Sequence, residues 1–265
     1  MIYCNLKGGL GNMLFQIAAT KAFSLEKNSL CSFPNYYIHL NFLNDDREYN
    51  ANLKHAQEYS KFLKLNTFAP NQPLITYNFP FEYTDYLPSE PSFIVDGFFQ
   101  TEKYFAKYRK EILEFISPTN EITDLIYKKY PFLHEKVCTS VHIRKGDYLK
   151  YSNHHPTQSL DYYYEAIKRI NNNELFVFFS DDIEWCKDNF KFKNVFFVEN
   201  EKDYIEMFLM SKCANNIIAN SSFSWWGAWL NTNPSKIVVG PKKWFGINLS
   251  HMNTNDIIPV SWTKI

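Results

Sequence analysis

Val141-His142-Ile143-Arg144-Lys145-Gly146-Asp147-Tyr148 is the stretch on which the reading of this chain turns. A strand-like run over residues 136–143 passes without a break into arginine, lysine and aspartate around a single glycine. A buried parallel strand that delivers charge to the carboxyl edge of its sheet has this form.

Working downstream, the pattern keeps alternating. Hydrophobic spacing predicts a helix over 160–170, a strand over 175–180 and a short helix over 183–189. A strand over 195–199, a helix over 204–212, a strand over 216–219, a helix over 222–230 and a strand over 237–240 complete the series. Such a series is a doubly wound half, whose ligand lies beyond the carboxyl ends of the strands. Upstream, residues 2–7 read as a strand that meets a glycine-rich turn. Leu14, Ile17, Ala18, Ala22 and Leu25 then fall at helical spacing over 13–26. A second strand is expected over 92–99, with Thr101 capping a helix that runs to about residue 115. The interval 33–91 is irregular and rich in Asn, Tyr and Pro, with one helix expected around 52–63. Pro118 and Pro131 bracket a helical hinge segment, giving a division into 1–130 and 131–265. The fold class is therefore α/β with parallel sheets.

Composition excludes more than it selects. Formal net charge is +0, so no overall field recruits nucleic acid or an anionic membrane. Hydrophobic residues make up 45 %, too many for a disordered chain. Aromatic residues reach 18 %, which suits a sugar-binding surface and an ordinary core equally well. Cys4, Cys31, Cys138, Cys186 and Cys213 are scattered, odd in number and never paired as CxxC. They read as buried thiols of a reducing compartment, not as a disulfide or zinc framework. No signal-peptide pattern and no stretch of eighteen apolar residues is found, so a cytoplasmic protein is expected.

Three segments carry chemistry. Gly8-Gly9-Leu10-Gly11-Asn12 lies between the first strand and its helix. Its glycines permit positive φ, and the helix start offers free N–H groups to an anion or simply makes a tight turn. It lacks the third glycine of a dinucleotide fingerprint. In the second segment Arg144 emerges where a phosphate would lie, and its planar guanidinium can grip two phosphate oxygens at once. Asp147 could hold that arginine, contact substrate or cap a turn, while His142 reads as a nucleoside contact or a core histidine. The third segment is Ala219-Asn220-Ser221-Ser222-Phe223-Ser224-Trp225-Trp226-Gly227. Small hydroxyl residues that open a helix suit anion binding or N-capping, and the paired tryptophans read as core.

In order, these segments resemble the signatures of the bacterial α-1,2-fucosyltransferases, glycosyltransferase family 11. Asp96-Gly97-Phe98-Phe99-Gln100-Thr101-Glu102-Lys103-Tyr104-Phe105 and Phe179-Ser180-Asp181-Asp182 are supporting matches. The resemblance implies a GT-B-like fold of two Rossmann-like lobes facing across a cleft. It assigns the acceptor side to 1–130 and GDP-fucose binding to 131–265. It also implies an inverting transfer of L-fucose from GDP-β-L-fucose to the 2-hydroxyl of a galactoside, without a bound metal or other cofactor. The setting it implies is O-antigen or similar surface polysaccharide synthesis on a lipid-linked glycan, peripheral to the inner membrane face.

By the same resemblance Arg144 matches the donor β-phosphate contact, and Asn220, Ser221, Ser222, Phe223 and Ser224 match the pyrophosphate neighbourhood. His142 and Glu206 fall where the nucleoside is read, and Gly11 and Asn12 face the donor sugar or acceptor. Asp147 is the candidate base, with bracing of Arg144 as its other reading. Asp181-Asp182 could mimic a metal-binding pair, although the basic donor site already compensates phosphate charge. Three positions depart from the family pattern: Met13 for glutamine, Lys145 for a second arginine and Glu206 for aspartate. Met13 is expected to remove an amide from the cleft, and Lys145 keeps the charge but loses the fork. Two other readings compete: transfer from another GDP-sugar on the same scaffold, and a non-catalytic carbohydrate-binding protein. The second rests on aromatic content alone.

Overall fold

In the computed structural model, which describes residues 1–36, 56–170 and 174–265, all strands pair in parallel within two separate sheets. Contacts divide the chain into one unit of Met1–Thr119 with Asn255–Ile257, and another of Asn120–Thr254 with Ile258–Ile265.

The first unit holds β1 (Ile2–Cys4), β2 (Cys31–Ser32), β3 (Thr76–Asn78) and β4 (Phe93–Asp96), ordered β2-β1-β4-β3. The helix Leu10–Glu26 follows β1 and begins three residues before its apolar periodicity does. Gly8, at φ +79°, makes the sharp entry, and no side chain caps the helix start. Asn28, at φ +47°, ends the helix in the left-handed conformation that a terminating asparagine tolerates. Thr101 accepts from the Lys103 N–H as expected, but it caps the 3-10 turn Glu102–Tyr104; the α-helix begins only at Arg109 and runs to Ile116. Of the helix expected around 52–63, residues 52–55 lie outside the described residues, and Ala56–Tyr59 is helical. Strands β2 and β3, two and three residues long, give too little alternation to be read from sequence. Met13 is wholly buried in the core. It therefore offers nothing to a ligand surface, and the expected loss of a cleft amide does not arise at this side chain.

The second unit holds β5 (Cys138–Ile143), β6 (Leu175–Ser180), β7 (Val195–Phe197), β8 (Asn215–Ile217), β9 (Val238–Gly240) and β10 (Thr263–Lys264). Their order is β10-β9-β8-β5-β6-β7. The chain thus builds outward from β5 to β7, then returns to β8 on the other side of β5 and builds outward again. The reversal falls between β5 and β8. On one face the helices Leu160–Lys168 and Ile183–Asn189 pack Tyr163, Ile167 and Cys186 over Val141, Phe176 and Phe178. Asp203–Lys212 and Ser222–Leu230 approach each other so closely that a Cβ on Gly227 would lie 2.8 Å from the Met210 Cβ. Trp225, Trp226 and Trp229 are buried, as the core reading of the tryptophans requires. All five cysteines are free and buried. Among the described residues no helix is long and apolar enough to cross a membrane.

Candidate active site

The carboxyl ends of β5, β6 and β8 collect most of the residues singled out from sequence. Arg144 is the first residue past β5. Its Nη2 lies 2.7 Å from Asp147 Oδ1 and its Nη1 lies 3.0 Å from Asp181 Oδ2. The guanidinium also lies over the Tyr148 ring, 5.4 Å from its centroid. Two carboxylates and an aromatic face thus fix the fork, yet Arg144 is about one-third exposed and keeps unused N–H donors. Asp147, the candidate base, has given one oxygen to this pair. Asp181 also accepts from the Lys145 backbone N–H at 2.8 Å, which ties the end of β6 to the turn after β5. A Cβ on Gly146 would come 2.5 Å from Asp181 Oδ2, so glycine is what lets the turn and the carboxylate approach. Lys145 Nζ lies 3.9 Å from the centroid of the Trp185 ring.

The serine-rich segment arrives from β8. Ser221 accepts from the Phe223 N–H and caps the helix Ser222–Leu230. Capping leaves N–H groups of the first turn without an intrahelical partner. Ser222 and Phe223 are partly exposed, whereas Ser224 is buried and donates to the Ser221 carbonyl at 3.4 Å. Asn220 has a different job. Its Nδ2 donates to the carbonyls of Pro156 and Trp244, both at 2.9 Å, and its Oδ1 accepts from Gln158 Nε2, also at 2.9 Å. That side chain fastens two loops to the end of β8. Tyr148 donates its hydroxyl to the Asn220 carbonyl at 3.1 Å, joining the arginine turn to the serine helix. Burial pushes the Tyr148 phenol up to about 12, so it remains a donor.

His142 lies two residues before Arg144, inside β5 and buried, with its ring 5.5 Å from that of Phe223. Burial, aided by the Arg144 charge, pushes its pKa down to about 3, and the ring is neutral at physiological pH. Its Nδ1 is buried without a hydrogen-bond partner among the described residues. Glu206 stands in the first turn of Asp203–Lys212. Burial first, then the charges of Asp203, Glu201 and Asp181, push its pKa up to about 8.

Gly11 and Asn12 belong to the first unit, in the first turn of Leu10–Glu26. The glycine-rich loop is held by Gln16, which donates to the Lys7 carbonyl at 2.8 Å and accepts from the Lys7 N–H at 3.0 Å. Asn12 Oδ1 accepts from Gln100 Nε2 at 2.8 Å. A Cβ on Gly8 would lie 2.8 Å from Asn12 Nδ2. Sequence reasoning missed two parts of this arrangement. Asp181 grips Arg144, and Asp182 caps Ile183–Asn189 by accepting from the Trp185 N–H. The Tyr148 tie also went unseen, since nothing in local spacing relates positions 148 and 220.

Two Rossmann-like units, each a parallel sheet with polar residues gathered at its carboxyl edge, place the chain in the GT-B-like class. It matches a crystal structure of POFUT1 in complex with GDP at a TM-score of 0.51 and 11 % identity, covering 90 % of this chain and 97 % of that one. That likeness speaks to fold. The family model described as glycosyl transferase family 11 matches residues 1–265. An Escherichia coli α-1,2-colitosyltransferase is 34 % identical, with 100 % of this chain and 99 % of the relative aligned. The Escherichia coli O-antigen biosynthesis glycosyltransferase WbnK is 32 % identical, with 100 % of both covered. The chain belongs to glycosyl transferase family 11 and is a glycosyltransferase.

Proposed function

We propose that this glycosyltransferase moves L-fucose from GDP-β-L-fucose to the 2-hydroxyl of a galactoside, with inversion, during O-antigen synthesis. The observation that carries the reading is Arg144, braced by Asp147 and Asp181 where the strand order reverses between β5 and β8. Doubly wound sheets hold ligands at that place. A fixed guanidinium beside an open helix start suits a pyrophosphate. The names of the relatives support O-antigen as the setting and an α-1,2 linkage as the product.

The reaction breaks the bond between fucose C1 and the β-phosphate oxygen and forms one between C1 and the acceptor oxygen. Negative charge grows on the departing GDP, so Arg144 and the N–H groups at Ser222 stabilise the transition state more than the ground state. We assign Asp147 the brace and not the base, since one of its oxygens is committed to Arg144. The acceptor hydroxyl attacks the face of C1 opposite the leaving GDP through an oxocarbenium-like transition state, and its proton is released to solvent. We assign the nucleoside contacts to His142, whose buried Nδ1 has no partner among the described residues, and to Glu206. Asp181 is committed to Arg144 and Asp182 to a helix cap, which supports a metal-independent reaction, so rates should persist in chelator.

The relative at 34 % identity favours a second reading, transfer of colitose, the 3-deoxy counterpart of L-fucose. Incubation with each GDP-sugar and a panel of galactosides, followed by linkage analysis, separates the two. Transfer only from the 3-deoxy donor, or to a hydroxyl other than O2, defeats the fucosyl reading.

A further inference from the structure

The motif Asp96-Gly97-Phe98-Phe99-Gln100 lies in the first unit, and its backbone is strained. Phe99 has φ +53°, a conformation that a bulky side chain adopts only under constraint. The constraint is visible: the wholly buried Phe99 ring packs against Phe79, Tyr104 and Phe23 at 5.2, 5.1 and 6.0 Å. Holding Phe99 inward sends its neighbour Phe98 outward, where it is 38 % exposed. Lys7 lies over the Phe98 ring at 5.1 Å and pairs with Asp96, and both charged side chains keep open surface, 26 % and 45 %. Gln100 gives its amide N–H to Asn12 Oδ1, while its Oε1 is buried without a partner among the described residues. A buried acceptor without a donor is unfavourable and asks for one.

These groups occupy the carboxyl ends of β1 and β4. In the order β2-β1-β4-β3 that is where the first sheet reverses its direction of growth, the ligand position of a doubly wound half. A carboxylate and an ammonium side by side accept from and donate to neighbouring hydroxyls, and an adjacent ring covers the C–H face of a pyranose. Lys7 and Asp96 hold each other's charge, and the pair offers both donors and an acceptor to the neutral hydroxyls of a sugar. We infer that Lys7, Asp96, Phe98 and Gln100 form a subsite for a neutral pyranose of the glycan acceptor, and that the Phe99 backbone is held strained to present it. The identification of that sugar as the acceptor rests on the function proposed above; the binding itself does not.

The test uses the full chain and methyl β-galactoside as the probe. Saturation-transfer NMR should show contact with the wild type, and the signal should fall at least fivefold in Phe98→Ala and in Asp96→Asn. In turnover, the acceptor KM should rise about tenfold in each variant, as expected for loss of a contact of roughly ordinary hydrogen-bond strength. GDP affinity by calorimetry should stay within twofold, and Phe98→Tyr should restore the acceptor KM. Phe98 is exposed, so its replacement leaves the fold intact even if Asp96→Asn does not. Variants that melt like the wild type and keep both the NMR signal and the acceptor KM overturn the inference, as does a wild type without signal at millimolar galactoside. A wild type that binds galactoside through these residues but transfers nothing from GDP-fucose leaves the subsite standing and defeats the proposed function.

Discussion

Replacing Glu206 by glutamine gives the pH dependence of nucleotide binding a definite form. Burial and three nearby carboxylates raise the Glu206 pKa to about 8, so the group is mostly protonated at neutral pH. To accept the N1–H and N2–H of guanine it must ionise. At pH 7 that costs about 1.4 kcal/mol, one pH unit below its pKa. If binding requires the carboxylate, the apparent dissociation constant for GDP scales as one plus the ratio of protonated to ionised Glu206. Affinity then improves about tenfold from pH 7 to pH 9, and about ninety-fold from pH 6 to pH 9. GDP phosphate titrates in the same interval, but it does so equally for both proteins. The ratio of glutamine-variant to wild-type dissociation constants, measured by calorimetry, therefore isolates Glu206. That ratio should climb steadily as pH rises and level off above about 8. A ratio that stays flat from pH 6 to pH 9 refutes a carboxylate reading of the base. Stability runs the other way. A raised carboxyl pKa favours the protonated fold, so the contribution is complete below the ordinary value of 4.5 and is lost as pH rises through about 8. The melting temperature of Glu206→Gln should therefore exceed that of wild type increasingly over this interval.

Other outcomes follow from single contacts. Arg144→Lys keeps the charge but loses the fork shared by Asp147 and Asp181; kcat should fall roughly a hundredfold with little change in melting temperature, a loss of about 2.7 kcal/mol. Gly146→Ala places a methyl group on Asp181 Oδ2; it should loosen the brace and lower kcat about tenfold, and wild-type rates would disprove that role for Asp181. Gly227→Ala meets the Met210 Cβ between two packed helices. Denaturant unfolding should show a loss of about 1–3 kcal/mol, whereas GDP affinity should hold. Tyr148→Phe removes the tie to the Asn220 carbonyl and should cost about 1 kcal/mol of stability and weaken GDP binding severalfold.

Much of the second unit was legible because its elements carry their own signals. The strand Leu175–Ser180 and the helices Ile183–Asn189 and Ser222–Leu230 lie where hydrophobic spacing and caps put them. Long apolar strands and amphipathic helices announce themselves within a few residues. β2 and β10 do not: two residues each, they exist only because a neighbouring strand offers its hydrogen bonds. Thr101 shows the limit of cap reasoning, since the oxygen caps as expected but two 3-10 turns come before the α-helix at Arg109.

For the site, the sequence by itself determined that an arginine, a glycine-rich loop and a serine-opened helix each follow a strand, because strand direction and residue type are local properties. Only tertiary structure decided what each polar group is used for. Asn216 donates to Ser140 and to the Met210 carbonyl, and Asn220 fastens two loops, while Met13 is simply core. Asp181 and Arg144 are separated along the chain and meet because β5 and β6 pair in register, Ile143 beside Ser180. A side chain's role depends on which partners the sheet brings within about 3 Å, and no window of sequence contains that distance.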